Sequence, residues 1–232
     1  MEIVSIAFDG SNRSGKGLQI EMLSSYLEKK NIPYLVVRGD GSREKNNVLE
    51  KTLPIWWEKM NLQLHSNNNL DEWNIAACKL AEELVHSKKN ILPKIIQENN
   101  ADAGVLLIDR SILSRAVLVS EQIQNFTIDD LYPKYFFEKG KNLTVWDVLP
   151  DVIFFLRASK EVLLSRLNED DSKYHFRKKI IEEKSDYYNQ VIDLFPAIIK
   201  SRISIVDATR DPSQMHGEVC KIIEKTIAPF LF

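Results

Sequence analysis

Two cysteines in 232 residues, Cys78 and Cys220, lie far apart and outside any CxxC spacing, which argues against a disulfide framework and against a cysteine zinc site. They read as buried thiols of a reducing compartment. An excess of positive charge is missing too: the formal net charge is −2, so the chain lacks the basic surplus that neutralises a run of nucleic-acid phosphates. No apolar run approaches the roughly 18 residues of a membrane span, and the opening EIVSIAF is too short for a signal peptide and lacks its flanks. The expectation is a soluble, cytoplasmic protein that engages neither nucleic acid nor membrane. Four histidines, His65, His86, His175 and His216, show no metal-ligand spacing with one another or with cysteine. Internal repeats and low-complexity tracts are absent.

What is present is enough apolar sequence for one sizeable core: 44% of residues are hydrophobic and 28% charged, as expected of a single domain over 1–232. Five short β-branched runs, IVSIAF from Ile3, YLVV from Tyr34, GVLLI from Gly104, DVIFFL from Asp151 and RISIV from Arg202, carry apolar residues on both faces. Strands of that kind are buried on both sides. Between them lie stretches with apolar residues three and four apart: LQIEMLSSYLEKK, EWNIAACKLAEELVHSKKNILPKII, SKEVLLSRL and PSQMHGEVCKIIEKTI. Alternating strand and helix predicts an α/β fold, a five-stranded parallel sheet with helices on both faces. Ser159 is placed to cap one helix and Pro212 to open the last. Two regions break this rhythm. About 44–70, with Trp56, Trp57 and HSNNN, reads as a loop-rich insertion, and NEDDSKYHFRKK from Asn168 reads by composition as a solvated turn.

The chemistry concentrates after the first strand, in FDGSNRSGKGLQ. Gly10, Ser11, Asn12, Arg13, Ser14, Gly15 and Lys16 stand between a predicted strand and a predicted helix, where backbone N–H groups and the helix's positive end can surround a phosphate. Lys16 would reach the outer phosphates. At Gly17 such loops normally carry a Ser or Thr hydroxyl that holds Mg²⁺. Water can take that coordination place. The loss then amounts to about 1–3 kcal/mol, roughly a ten- to hundredfold slowing. At the end of the third predicted strand, IDRSILSR supplies Asp109, a carboxylate able to hold Mg²⁺ through water, and Arg110, able to grip a second phosphate. Arg38 ends the second strand at the same edge. Cations converging where two phosphate-bearing molecules meet suit phosphoryl transfer.

These residues, with VVR ending at Arg38, LLIDRSILS, PDVIFFLRASKEVLLSRL, EEKSDYY from Glu182 and IVDATRDPSQMHGEV from Ile205, resemble the thymidylate kinase family of P-loop kinases. The resemblance runs from about Ile3 to Ile227. It implies a three-layer P-loop kinase fold with a short lid at about 168–179, transfer of the ATP γ-phosphate to a nucleoside monophosphate with Mg²⁺, and a homodimer. By the same resemblance, Arg13 and Lys16 neutralise the transferring group, Arg38, Arg110 and Ser114 line the acceptor site, and Lys173 and Arg177 belong to the lid.

Departures from the family pattern leave two rival readings. Gly17 replaces the hydroxyl residue, Asn12 an aspartate, Ser111 a tyrosine, and Arg157 stands where an aspartate is usual. The base-stacking aromatic and its neighbouring arginine have only Trp73 and Lys79 as counterparts. DRSILS also resembles the deoxynucleoside kinases, whose general base would be Asp40 or Glu44 here. The third reading is a nucleotide-binding protein that has lost catalysis.

Overall fold

The computed structural model describes residues 1–38, 81–111, 114, 145–195 and 197–231. The 44–70 insertion, Trp73, Lys79, Asp40 and Cys78 lie outside them. All five expected strands form: β1 (Glu2–Gly10), β2 (Tyr34–Arg38), β3 (Ala103–Asp109), β4 (Val152–Arg157) and β5 (Ile203–Asp207). They make one sheet in the order β2-β3-β1-β4-β5, every pair parallel.

Alternation along each strand sorts the core into two layers. From β1, Val4, Ile6 and Phe8 enter one apolar cluster, which also holds Leu23 and Leu27 of helix α1 (Lys16–Lys29) and Val219 of the C-terminal helix Pro212–Leu231. Ala7, with Leu106, Ile108 and Phe155, enters the other, against Leu84, Leu92 and Ile96. Successive side chains of a strand point to opposite faces, so apolar residues on both faces require a helical layer on each side. Burying a Leu or Phe side chain in such a layer contributes about 1.5–3 kcal/mol. The Phe8 and Phe154 rings stack at 5.2 Å in the first cluster.

On the second face the chain is helical from 81, widens into a π-helical turn at Ser87–Ile91 and tightens into α2 (Leu92–Glu98). Pro93 accounts for the widening. Its ring has no N–H and would press on the carbonyl four residues earlier, which a wider turn relieves. A short turn, α3 (Val145–Val148), precedes β4. Helix α4 (Lys160–Ser165) starts as expected from Ser159, whose hydroxyl accepts from the Val162 N–H. The expected cover at 168–179 divides: 168–173 form a turn, while Tyr174 already begins α5 (Tyr174–Leu194). After α6 (Ala197–Lys200) and β5, Pro212 opens α7 (Pro212–Leu231).

Parallel registers bring every strand's carboxyl end to one edge. Arg38 and Phe8 both lie opposite Asp109, Gly10 opposite Leu156 and Arg157 opposite Asp207. At Gly10, φ is +134° and an added Cβ would meet the Leu156 carbonyl oxygen at 2.5 Å. Backbone cannot swing aside, so this position admits glycine alone. At Gly17 an added Cβ would meet no atom within 4 Å.

The two glycines should therefore respond oppositely. Gly10→Ala is expected to lose about 3 kcal/mol in chemical denaturation through strain and contact, while Gly17→Ala gains about 0.5–1 kcal/mol in the first turn of a helix. Equal midpoints for the two variants would contradict this account.

Candidate active site

The phosphate loop is folded around its own lysine. Lys16 Nζ donates to the carbonyl oxygens of Gly10 at 3.1 Å and Ser11 at 2.7 Å, and to Ser14 Oγ at 3.3 Å. Arg13, with φ +64°, and Gly15, with φ +97°, turn the chain into α1. Its first N–H groups have no partner within the helix and face the loop, as an anion site requires. Burial pushes the Lys16 ammonium down to about 7, helped by the Arg110 charge and opposed by Asp109 and Asp9. Ser11 Oγ and Arg13 Nε are buried with no partner among the described residues. Both are polar groups left over inside the loop.

From the other side comes Arg110, one residue past β3. Its Nη1 donates to the Gly10 carbonyl at 3.3 Å and to Tyr188 Oη at 3.5 Å, and its Nη2 to Asn12 Oδ1 at 2.6 Å. Lys16 and Arg110 thus share one acceptor atom. The carboxylate of Asp109, half-buried at the same edge, has no hydrogen-bond partner among the described residues, and its charge reaches Lys16. Arg38 has its backbone opposite Asp109, while its side chain lies outside what is described.

The acid that the sequence reading missed is Asp9. It is fully buried, and both oxygens accept: Ser111 donates through its N–H at 3.2 and 3.3 Å and through its hydroxyl, and Ser114 through its hydroxyl. Burial raises its pKa, opposed by those hydrogen bonds and by the Arg110 and Lys16 charges. Ser114, expected to line the acceptor site, therefore directs its hydroxyl to Asp9. The available signal was a carboxylate at the end of a strand otherwise wholly apolar from Ile6.

Two further contacts join the loop to the segment at 168–179, where a lid was expected. Asp171 Oδ2 accepts from Arg13 Nη2 at 2.5 Å and from Arg177 Nη1. Those charges lower its pKa, although the largest cause is the hydrogen bond from the Lys173 N–H. Lys173 itself is exposed and contributes that backbone group. Arg166, not singled out from the sequence, links the Arg13 carbonyl at 3.3 Å to the Ala208 carbonyl at 2.7 Å. Arg157 turns to the Asn189 carbonyl at 3.1 Å on α5.

A group of anion-ready N–H donors, two cations on one carbonyl and an open carboxylate can hold two phosphates side by side and neutralise charge between them. Comparison with known proteins agrees. The family model described as Thymidylate kinase matches residues 8–219. The chain is similar to the "Thymidylate kinase" of Rickettsia bellii (strain OSU 85-389), 26% identical over 220 residues covering 93% of each chain. It is also similar to that of Fervidobacterium nodosum, 20% identical over 221 residues, covering 94% of this chain and 96% of the relative.

A buried lysine at about 7 makes the empty protein more stable as pH rises from there toward its ordinary 10.5, because the unfolded chain then holds a proton that the folded one does not. Phosphate charge restores that proton. Near pH 8, ATP binding should take up a fraction of a proton, seen as a calorimetric heat that depends on the buffer's ionisation enthalpy. No buffer dependence would mean that Lys16 is already charged in the empty loop.

Proposed function

The chain belongs to the thymidylate kinase family, and on that premise we propose that it transfers the γ-phosphoryl group of ATP to the phosphate of thymidylate. The observation that carries this reading is the shared Gly10 carbonyl, accepting from Lys16 at 3.1 Å and from Arg110 at 3.3 Å. A donor-side cation and an acceptor-side cation held that closely suit two adjacent phosphates and little else.

ATP binds along Gly10–Gly17, its β- and γ-phosphates on the loop N–H groups, and Lys16 exchanges the Gly10 and Ser11 carbonyls for phosphate oxygens. Arg110 holds the thymidylate phosphate. An oxygen of that phosphate attacks the γ-phosphorus in line, forming the new P–O bond as the bond to the β-phosphate oxygen breaks. ADP leaves with the electron pair. The attacking oxygen is already anionic, so no general base is needed. Arg13, and Arg177 once it leaves Asp171, offset charge on the transferring group.

Magnesium fits the residues present. Asp109 offers a hard oxygen free of hydrogen bonds among the described residues, and the open space at Gly17 leaves room for a water where other loops place a hydroxyl. Asp109 would hold the ion through water, and the ion when bound would supply charge neutralisation for the phosphates. Among the described residues no helix is long and apolar enough to cross a membrane.

A coupled ADP-release assay with ATP, Mg²⁺ and a panel of nucleoside monophosphates and nucleosides tests the reading. Turnover on thymidylate, abolished in Lys16→Ala, is expected. Turnover on nucleosides alone would transfer the chain to the nucleoside kinases, and ATP binding without turnover would make it a binding protein. Gly17→Ser is expected to raise kcat or lower the Mg²⁺ requirement by up to about ten- to hundredfold. Unchanged or lower activity would mean that water does not substitute for the hydroxyl.

A further inference from the structure

We propose that Asp9 is a positioning residue for the acceptor side: its buried carboxylate sets the backbone of Arg110 and so aims the guanidinium that holds the acceptor phosphate. The proposal rests on the kinase reading above for what Arg110 grips. It rests on geometry alone for how Arg110 is held.

Arg110 has φ +69°, a left-handed conformation that side chains other than glycine and asparagine seldom adopt. Something must hold it there. Its own N–H donates to the Phe8 carbonyl at 3.1 Å, and the next N–H, of Ser111, divides between the two Asp9 oxygens at 3.2 and 3.3 Å. Fixing the amides on both sides of a Cα fixes its φ and ψ together. The Ser111 and Ser114 hydroxyls take one oxygen each, and the Ser114 N–H returns to the Ser111 carbonyl at 3.1 Å. Residues 111 and 114 thus close a turn around the carboxylate, and Arg110 leaves it aimed at Gly10 and Asn12.

A carboxylate is suited to this and its amide is not. Both oxygens of Asp9 accept, from three donors on a loop about a hundred positions away, and an ionised carboxylate has acceptors only. An amide in its place sets an NH₂ against an N–H or a hydroxyl. Burial without such partners would be unfavourable, so the residue and its turn require each other. Lys16 is held differently, by the Gly10 and Ser11 carbonyls and Ser14 Oγ. Loss of the carboxylate should therefore act mainly on the acceptor, its effect on ATP being confined to the charge that Asp9 contributes near Lys16.

Asp9→Asn is the test, with Ser114→Ala as a milder variant that removes one donor. In steady-state kinetics, the KM for thymidylate should rise at least about tenfold in Asp9→Asn and roughly threefold in Ser114→Ala, with the KM for ATP changing less than about threefold. Equal rises for both substrates would mark a general structural role, and unchanged constants would mark no role; either overturns the proposal. If Asp9→Asn does not fold, Ser114→Ala and Ser111→Ala decide by the same split. A wild-type protein silent on thymidylate would count against the kinase reading alone. A crystal structure of Asp9→Asn or, failing that, of Ser111→Ala then decides: Arg110 displaced from Gly10 and Asn12 supports the proposal, and Arg110 unmoved overturns it.

Discussion

The ammonium group of Lys16 sits among the carbonyl oxygens of Gly10 and Ser11, inside the loop it serves, and the geometry of the crevice follows from that placement. Carbonyl dipoles replace the water that the charge has lost, but incompletely, which is why burial lowers its pKa to about 7. The chain at Gly10 lies so close to β4 that a Cβ there would meet the Leu156 carbonyl oxygen at 2.5 Å, and this approach helps set where the loop's oxygens stand around the lysine. Sheet register, glycine and buried cation form one constraint. A loop so held is shaped before its ligand arrives, and little ordering entropy is left to lose on binding.

The same carbonyl connects the two halves of the crevice. Gly10 accepts from Arg110 as well as from Lys16, so like charges are kept close by a shared dipole and by two acids, Asp9 beneath and Asp109 beside. Asn12 has a part in this balance. Its amide oxygen accepts from Arg110 at 2.6 Å without bringing the full negative charge of an aspartate, which leaves the guanidinium its charge for an anion.

Much of this was legible in the sequence, and the boundary has a physical cause. Strand runs such as DVIFFL declare themselves because both faces are apolar, and Ser159 and Pro212 because capping is local chemistry. The phosphate loop is equally local: a strand, two glycines, a lysine and a helix in consecutive order. Asp9 was not legible as a structural acid, since its partners Ser111 and Ser114 lie more than a hundred residues later and no periodicity connects them. Asp171 was hidden in the acidic run NEDD, where composition reads as solvated surface. Arg166 looked like the polar end of a short helix, and only tertiary packing brings the Arg13 and Ala208 carbonyls to it. The helical start at Tyr174 was hidden by the same charged run, because helix α5 has no side-chain cap there.

Helix α5 begins beside the phosphate loop and ends deep in the protein. Arg177 is in its first turn. Ile181, one turn on, is buried in the cluster beneath α1, and Tyr188 and Ile192 are buried in the cluster on the opposite face of the sheet. A rod anchored in both layers does not swing as a flap. Any travel of Arg177 would have to be absorbed by the turn at 168–173 or by unwinding of the first helical residues, with the rest of the helix held. The segment beside this crevice is in that sense already fastened at its far end.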